Sequence, residues 1–314
     1  MAEIVRVERK SDVLKRPALP CLSRFHTINL TAGCPYECRY CYARSFRSNP
    51  GKGKVLFYSN TLDLLSRQLP RKRAKPIMVY FSTACEPFTP HRQVLDCLHG
   101  VMELLLENDT SLLISTKSRI PETFLDLFVR HPGKVHVQMG LTTTNDRVRE
   151  LLEPHAAGIS DRLHTLRALM DRGVKAEVRS DPLIPELTDS KESFESLCRM
   201  ISHHGTRSLA ASYLFLRRGN YSAMNVEIEG WSFQEMAGRL YTDRIENYCG
   251  ASSIRIPDRS YRRGKYAQMK DIAEEHGLKL HLCRCKTPDL ITKCCHPRPP
   301  TNHGQGVQTD LFDS

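Results

Sequence analysis

Between residues 26 and about 216, short β-rich runs alternate with segments of helical periodicity. The runs at 27–31, 77–82, 111–116, 135–142, 175–180 and 209–216 read as strands. Between them Val94, Leu98, Val101 and Leu105 recur at helical spacing, as do Ile159, Leu163, Leu166 and Met170. Strands alternating with helices predict an α/β fold of parallel βαβ units with right-handed crossovers. A closed or partly closed (β/α) barrel fits that order; an open doubly wound sheet is the alternative. Both put chemistry at the C-terminal ends of the strands.

Past residue 217 the pattern changes. Basic residues appear at Arg217, Arg218 and along 259–265, then a helical pattern over 261–276 and a strand at 278–282. A cysteine-rich stretch covers 283–295, and from Pro297 proline, glycine and polar residues dominate, as in a disordered tail. The expected organisation is a lead-in over 1–25, a core over 26–230, an extension over 231–297 and a tail over 298–314. The 314 residues suffice for a full core, so the 12 cysteines are not needed as staples. The N-terminus has no apolar run of the signal-peptide kind, and no run reaches membrane-span length. A cytoplasmic chain with no membrane partner is expected, in which cysteines serve metals or catalysis. Lys and Arg number 46 against 35 Asp and Glu, a net +11 that favours a polyanionic partner, nucleic acid first; a solvated basic surface is the alternative.

Directly after the first strand, Cys34, Cys38 and Cys41 stand in C-x3-C-x2-C spacing. Three thiolates cannot close a tetrahedral zinc site alone. They can hold three irons of a [4Fe–4S] cluster and leave the fourth open to a ligand. A zinc knuckle with a remote fourth ligand is the alternative. Near the other end, Cys283, Cys285, Cys294 and Cys295 offer four thiols for a second iron–sulfur cluster or a structural zinc.

The cysteine motif, with Tyr40 just before its third member, resembles the signature of the radical S-adenosylmethionine (SAM) superfamily. The stretches INLTAGCPYECRYCYAR, FSTACEPF, STKSRIPETFLDLF and LEPHAAGISDRLHTLRALMDRGV are similar to the branch containing spore photoproduct lyase and its DNA-repair relatives. The resemblance implies a partial (β/α)6 TIM-type barrel, here with a Cys-rich C-terminal extension. It also implies SAM on the open iron, reductive cleavage to a 5′-deoxyadenosyl radical, and an electron donor such as flavodoxin or ferredoxin. Glu86-Pro87 resembles the half-motif that binds the SAM ammonium. Lys117, Thr142 and Thr143, at strand ends, are expected to hold SAM, and Tyr40 to pack on it. By the same resemblance Cys85 is the hydrogen donor to a product radical, and Tyr42 and Tyr40 relay hydrogen. The alternative for Cys85 is a small buried hydrophobe.

Gln308, Leu311 and Phe312 resemble the peptide by which bacterial repair proteins dock on the β sliding clamp. Arg71, Lys72, Arg73, Arg217, Arg218, Arg262 and Arg263 are expected to hold phosphates. The expected function is a carbon–carbon lyase that repairs a pyrimidine lesion in DNA. A radical SAM enzyme acting on RNA, a peptide or a small molecule is one alternative; a non-catalytic nucleic-acid-binding Fe–S or zinc protein is another.

Overall fold

A computed structural model describes residues 2–17, 22–23, 25–248 and 253–290. Its main sheet has seven parallel strands: β1 (His26–Ile28), β2 (Met78–Phe81), β3 (Ser111–Thr116), β4 (Val135–Gly140), β5 (Lys175–Leu183), β6 (Ser208–Tyr213) and β7 (Lys279–Leu282). Each lies beside its predecessor, and among the described residues no ladder joins β7 to β1, so the barrel is partial. The crossovers carry α1 (Thr61–Gln68), α2 (Arg92–Glu107), α3 (Glu122–Val129), α4 (Asp146–Leu152), α5 (Ile159–Asp171) and α6 (Lys191–His203). The last crossover passes α7 (Arg218–Ala223), α8 (Phe233–Leu240) and α9 (Arg259–Glu275) before β7.

The alternation of side chains along the strands explains this arrangement. Val79, Phe81, Leu112, Ile114, Val135 and Val137 pack with Leu98, Val101 and Phe124 from α2 and α3. Met139, Val178 and Leu209 pack with Leu166, Leu197 and Met269 from α5, α6 and α9. The intervening residues face the other side of the sheet, and many are polar. The Tyr80 hydroxyl and Ser115 Oγ lie 2.7 Å apart, Ser115 donates to Gln138 at 2.9 Å, and Gln138 donates to Glu177 at 2.6 Å. Ser208 adds a bond to Glu177 at 3.0 Å.

Burial alone would raise the Glu177 carboxyl. His136, Gln138 and Ser208 outweigh it and pull it down to about 2. Against an ordinary value near 4.3, that is roughly 3 kcal/mol. A depressed acid stabilises above its unfolded pKa, and the contribution is lost as pH falls from about 4 to about 2. Glu177→Gln should therefore be less stable by roughly 3 kcal/mol at pH 6, with the deficit about halved at pH 3 in denaturant unfolding. An equal deficit at both pH values would contradict this account.

The strand read at 278–282 is β7, paired in parallel with β6 from Lys279↔Ser208 to Leu282↔Ala211. The segment assigned to the extension thus contributes the seventh strand of the core sheet. Arg262 also departs from expectation. It is 1% exposed, its guanidinium bonded to Asp289 at 2.9 Å and Asp243 at 3.0 Å, so it is a packing ion pair and not a phosphate contact. A helix turns adjacent residues about 100° apart, so Arg262 points inward while Arg263 is exposed.

Candidate functional site

The thiol loop starts at Gly33, where φ is +81° and a Cβ would meet the Lys54 carbonyl at 2.7 Å. Only glycine turns there at that distance. The loop is then tied from several sides. Cys41 N–H donates to the Cys38 carbonyl at 3.1 Å, and Arg39 donates to the carbonyls of Leu152 and Leu151 at 2.9 and 2.8 Å. Tyr36 donates to Ser118 at 2.8 Å, and Asn220 of α7 donates to the Tyr40 carbonyl at 3.2 Å. The Tyr40 hydroxyl donates to Glu153, which pairs with Arg162 at 2.5 Å; both ions are fully buried.

The loop forms one side of a cavity of about 200 Å³ at the C-terminal ends of the strands, lined by Cys34, Cys38 and Cys41 together. Burial pushes all three thiols up, Cys38 to about 12. Such thiols become ligands when a metal replaces their protons. Among the described residues no three His, Cys, Asp or Glu side chains converge as donors to a single ion. A cluster does not ask for that convergence, because each thiolate binds its own iron. The donor set therefore fits a [4Fe–4S] cluster with one iron unligated by protein.

Glu86 and Lys117 line the same cavity. Glu86 Oε1 accepts from Phe88 N–H at 3.1 Å and Thr116 Oγ1 at 2.5 Å, and Oε2 accepts from Lys117 N–H at 3.0 Å. A carboxylate offers about four acceptor positions, so one remains on Oε2. Lys117 Nζ lies 5.6 Å from the centre of the Tyr40 ring. Gly140 makes room for it, since a Cβ there would stand 2.7 Å from Lys117 Cγ. Thr142 and Thr143 do not line the cavity. β4 ends at Gly140, two residues short of the strand expected from sequence. Thr143 Oγ1 accepts from Asn145 N–H at 3.1 Å, and Asn145 caps α4.

Cys85 lines the cavity too, its sulfur donating to Asn29 Oδ1 at 3.6 Å. Ser82, with φ of +61°, turns the chain at the end of β2 toward it. Burial pushes the Cys85 thiol up, so it holds its proton. Tyr42 donates to the Thr83 carbonyl, two residues from Cys85, whereas the Tyr40 hydroxyl is engaged by Glu153. Of the two tyrosines, Tyr42 is the one whose hydroxyl reaches the Cys85 segment.

At the end of the fifth predicted strand the sequence offers Arg179 and Asp181 as a charged pair without an assigned role; in the cavity they meet Lys286, the member that sequence reasoning missed. Arg179 Nη2 pairs with Asp181 at 3.0 Å, Lys286 Nζ pairs with the other Asp181 oxygen, and Lys286 donates to Ser212 at 3.2 Å. Burial would raise Asp181; Lys286 and Arg179 hold it well below the carboxylate range. Lys286 ends the short 3-10 turn Arg284–Lys286 just past β7, a position after a strand end that would have stood out had 278–282 been counted in the barrel. Cys283 is buried at the end of β7 and Cys285 packs by Phe215 and Tyr248; neither lines the cavity. Cys294 and Cys295, and the tail residues Gln308, Leu311 and Phe312, lie outside the described residues. No helix among the described residues is long and apolar enough to cross a membrane.

Comparison with known proteins agrees with this geometry. Residues 28–201 match the family model of the radical SAM superfamily. An uncharacterized protein of Mycobacterium tuberculosis is 25% identical over 266 residues, 82% of this chain and 73% of the relative. A radical SAM Nalpha-GlyT isomerase of Pseudomonas phage M6 is 25% identical over 202 residues, 63% of this chain and 42% of that protein. Among solved structures, a spore photoproduct lyase variant with bound AdoMet and dinucleoside spore photoproduct shares the fold. Its TM-score is 0.66 at 15% identity, over 89% of this chain and 81% of that one.

Proposed function

The chain belongs to the radical SAM superfamily, and from that membership we propose that it repairs a pyrimidine lesion in DNA by breaking a carbon–carbon bond. The cluster and SAM, when bound, supply an abstractor of hydrogen atoms. The rest falls to the protein. Cys34, Cys38 and Cys41 hold the cluster, while Glu86 and Lys117 meet the ammonium and carboxylate of SAM. The burial of this wall keeps water from the reacting atoms.

The observation that carries the lyase reading is Cys85, a protonated thiol in the same cavity as the cluster thiols, with Tyr42 bonded to its segment. After the cross-link breaks, a carbon radical remains on one fragment. The Cys85 S–H bond gives it a hydrogen atom, forming C–H and leaving a thiyl; Tyr42 O–H gives its hydrogen to the thiyl, and the tyrosyl left behind would regain one from the 5′-deoxyadenosine that carries the atom first abstracted. An electron donor such as flavodoxin or ferredoxin starts the cycle, in the cytoplasm. Cys283 and Cys285, with Cys294 and Cys295, hold a second cluster or zinc, which metal analysis of the purified protein reads directly. The tail residues Gln308, Leu311 and Phe312 tether the chain to the sliding clamp, which a binding assay with purified clamp reads.

The test uses anaerobically reconstituted, reduced protein with SAM and irradiated DNA. Lesion loss with restored thymines is expected. Cys85→Ala should still consume lesion but give scrambled products, and solvent deuterium carried by the Cys85 thiol should no longer enter the thymine methyl. The phage relative's name favours a second reading, an isomerase: a rearranged product with no fragment released would establish that reading and end the lyase one.

A further inference from the structure

We propose that Arg179, Asp181 and Lys286 form the subsite that reads the imide edge of a pyrimidine ring, an inference that rests on the proposed substrate class. The three side chains line the same cavity as the cluster thiols and Cys85. They are 12%, 15% and 13% exposed, so their charges are largely withdrawn from water. Buried ion groups rarely improve stability over apolar packing. Nothing in the handling of the cluster or SAM uses them.

Their order is the informative feature. A cationic donor, an anionic acceptor and a second cationic donor stand side by side. An imide presents the complement: a carbonyl, an N–H and a carbonyl. Lys286 has three N–H bonds and uses two, on Asp181 and Ser212, which leaves one for a ligand. Asp181 Oδ2 takes both Arg179 bonds, at 3.1 and 3.0 Å, and Oδ1 takes Lys286; the Ser212 hydroxyl also bonds the carboxylate, and an imide N–H would take over that position. Asp181 stays ionised under its two cations. A phosphate would find the same cations but meet the Asp181 charge between them, whereas a neutral ring with an alternating edge meets no repulsion. Pro182 and Phe215, also in the wall, supply apolar surface beside the ring. Tyr42 connects this subsite to the hydrogen donor: its ring centre lies 5.7 Å from that of Phe215, and its hydroxyl bonds the Cys85 segment.

The test measures binding, not turnover. Full-length, cluster-reconstituted, SAM-loaded protein is titrated anaerobically with dinucleoside spore photoproduct and with the same compound methylated at both ring N3 atoms. The unmethylated ligand should bind about tenfold to a hundredfold tighter. Lys286→Met and Asp181→Asn should erase most of that preference, and Lys286→Arg should restore part of it. Thermal melting and SAM affinity, which the other wall sets, verify that each variant is folded. Equal affinity of the parent protein for the two ligands would overturn the subsite, as would variants that keep the preference. Failure of the parent protein to bind either ligand would overturn the pyrimidine reading itself, and the subsite with it.

Discussion

Cys38→Ala reduces SAM cleavage to the background of metal-free protein, measured as 5′-deoxyadenosine formed after anaerobic reduction, and lowers bound iron in parallel. A cluster held by two thiolates has two irons without protein ligands, and such sites lose metal. The informative control is Cys198→Ala. Cys38 and Cys198 are both buried, and burial pushes both thiols up to about 12. Burial and acidity therefore do not tell them apart. Position does: Cys38 lines the strand-end cavity, and Cys198 packs on α6 among Leu197, Ile201 and Phe194. Cys198→Ala should cost about 1–2 kcal/mol in unfolding and leave iron content intact. If Cys38→Ala keeps full iron and cleavage, the motif is not the cluster ligand.

The largest stability effect is expected at Arg162→Met. Glu153 and Arg162 are fully buried and 2.5 Å apart, and Arg162 also donates to the carbonyls of Ala157 and Gly140 at 2.9 Å each. Burial alone would raise Glu153; Arg162, Lys117 and the Tyr40 hydroxyl outweigh it and hold the carboxylate below its ordinary range. Removing the guanidinium leaves a buried charge with too little compensation, a loss of about 3–5 kcal/mol and on the order of 10 °C in melting temperature. The pH dependence has a definite sign. A depressed acid stabilises above its unfolded pKa, near 4.3, and that stability disappears as pH falls through the folded value. In Arg162→Met the depressing partner is gone and protonation relieves the charge, so the deficit should be smaller at pH 4 than at pH 7. Adding Glu153→Gln should recover most of the loss, because a neutral pair no longer buries an ion. A double variant no more stable than Arg162→Met would contradict this.

Much of the fold was legible because the strands carry a period-2 signal. Outward residues such as Val79, Leu112 and Val178 feed one helix-covered core after another, and that alternation survives in the sequence. The thiol motif was legible because its ligands are local. Glu153, Arg162 and Lys286 were not: a charged residue in or beside a helical pattern, as Glu153 and Arg162 are, reads as solvated surface, and Lys286 meets Asp181 from 105 residues away. Thr142 and Thr143 stand past the end of the β4 ladder at Gly140, two residues beyond the strand's last paired position, and do not line the cavity. The pair Arg262 and Arg263 shows the same limit on a helix, where adjacency in sequence means opposite environments.

The place of β7 sets an order of assembly during translation. The thiol loop and its braces through Arg162 leave the ribosome early, while Lys286 and the strand before it come near the end of the described chain. Until Lys279–Leu282 emerge, β6 presents an unpaired edge, with N–H and C=O groups open to any passing strand. A nascent chain can thus own all three cluster thiols while its sheet is still unfinished, and a message cut short before codon 279 yields a protein that is sticky before it is inactive.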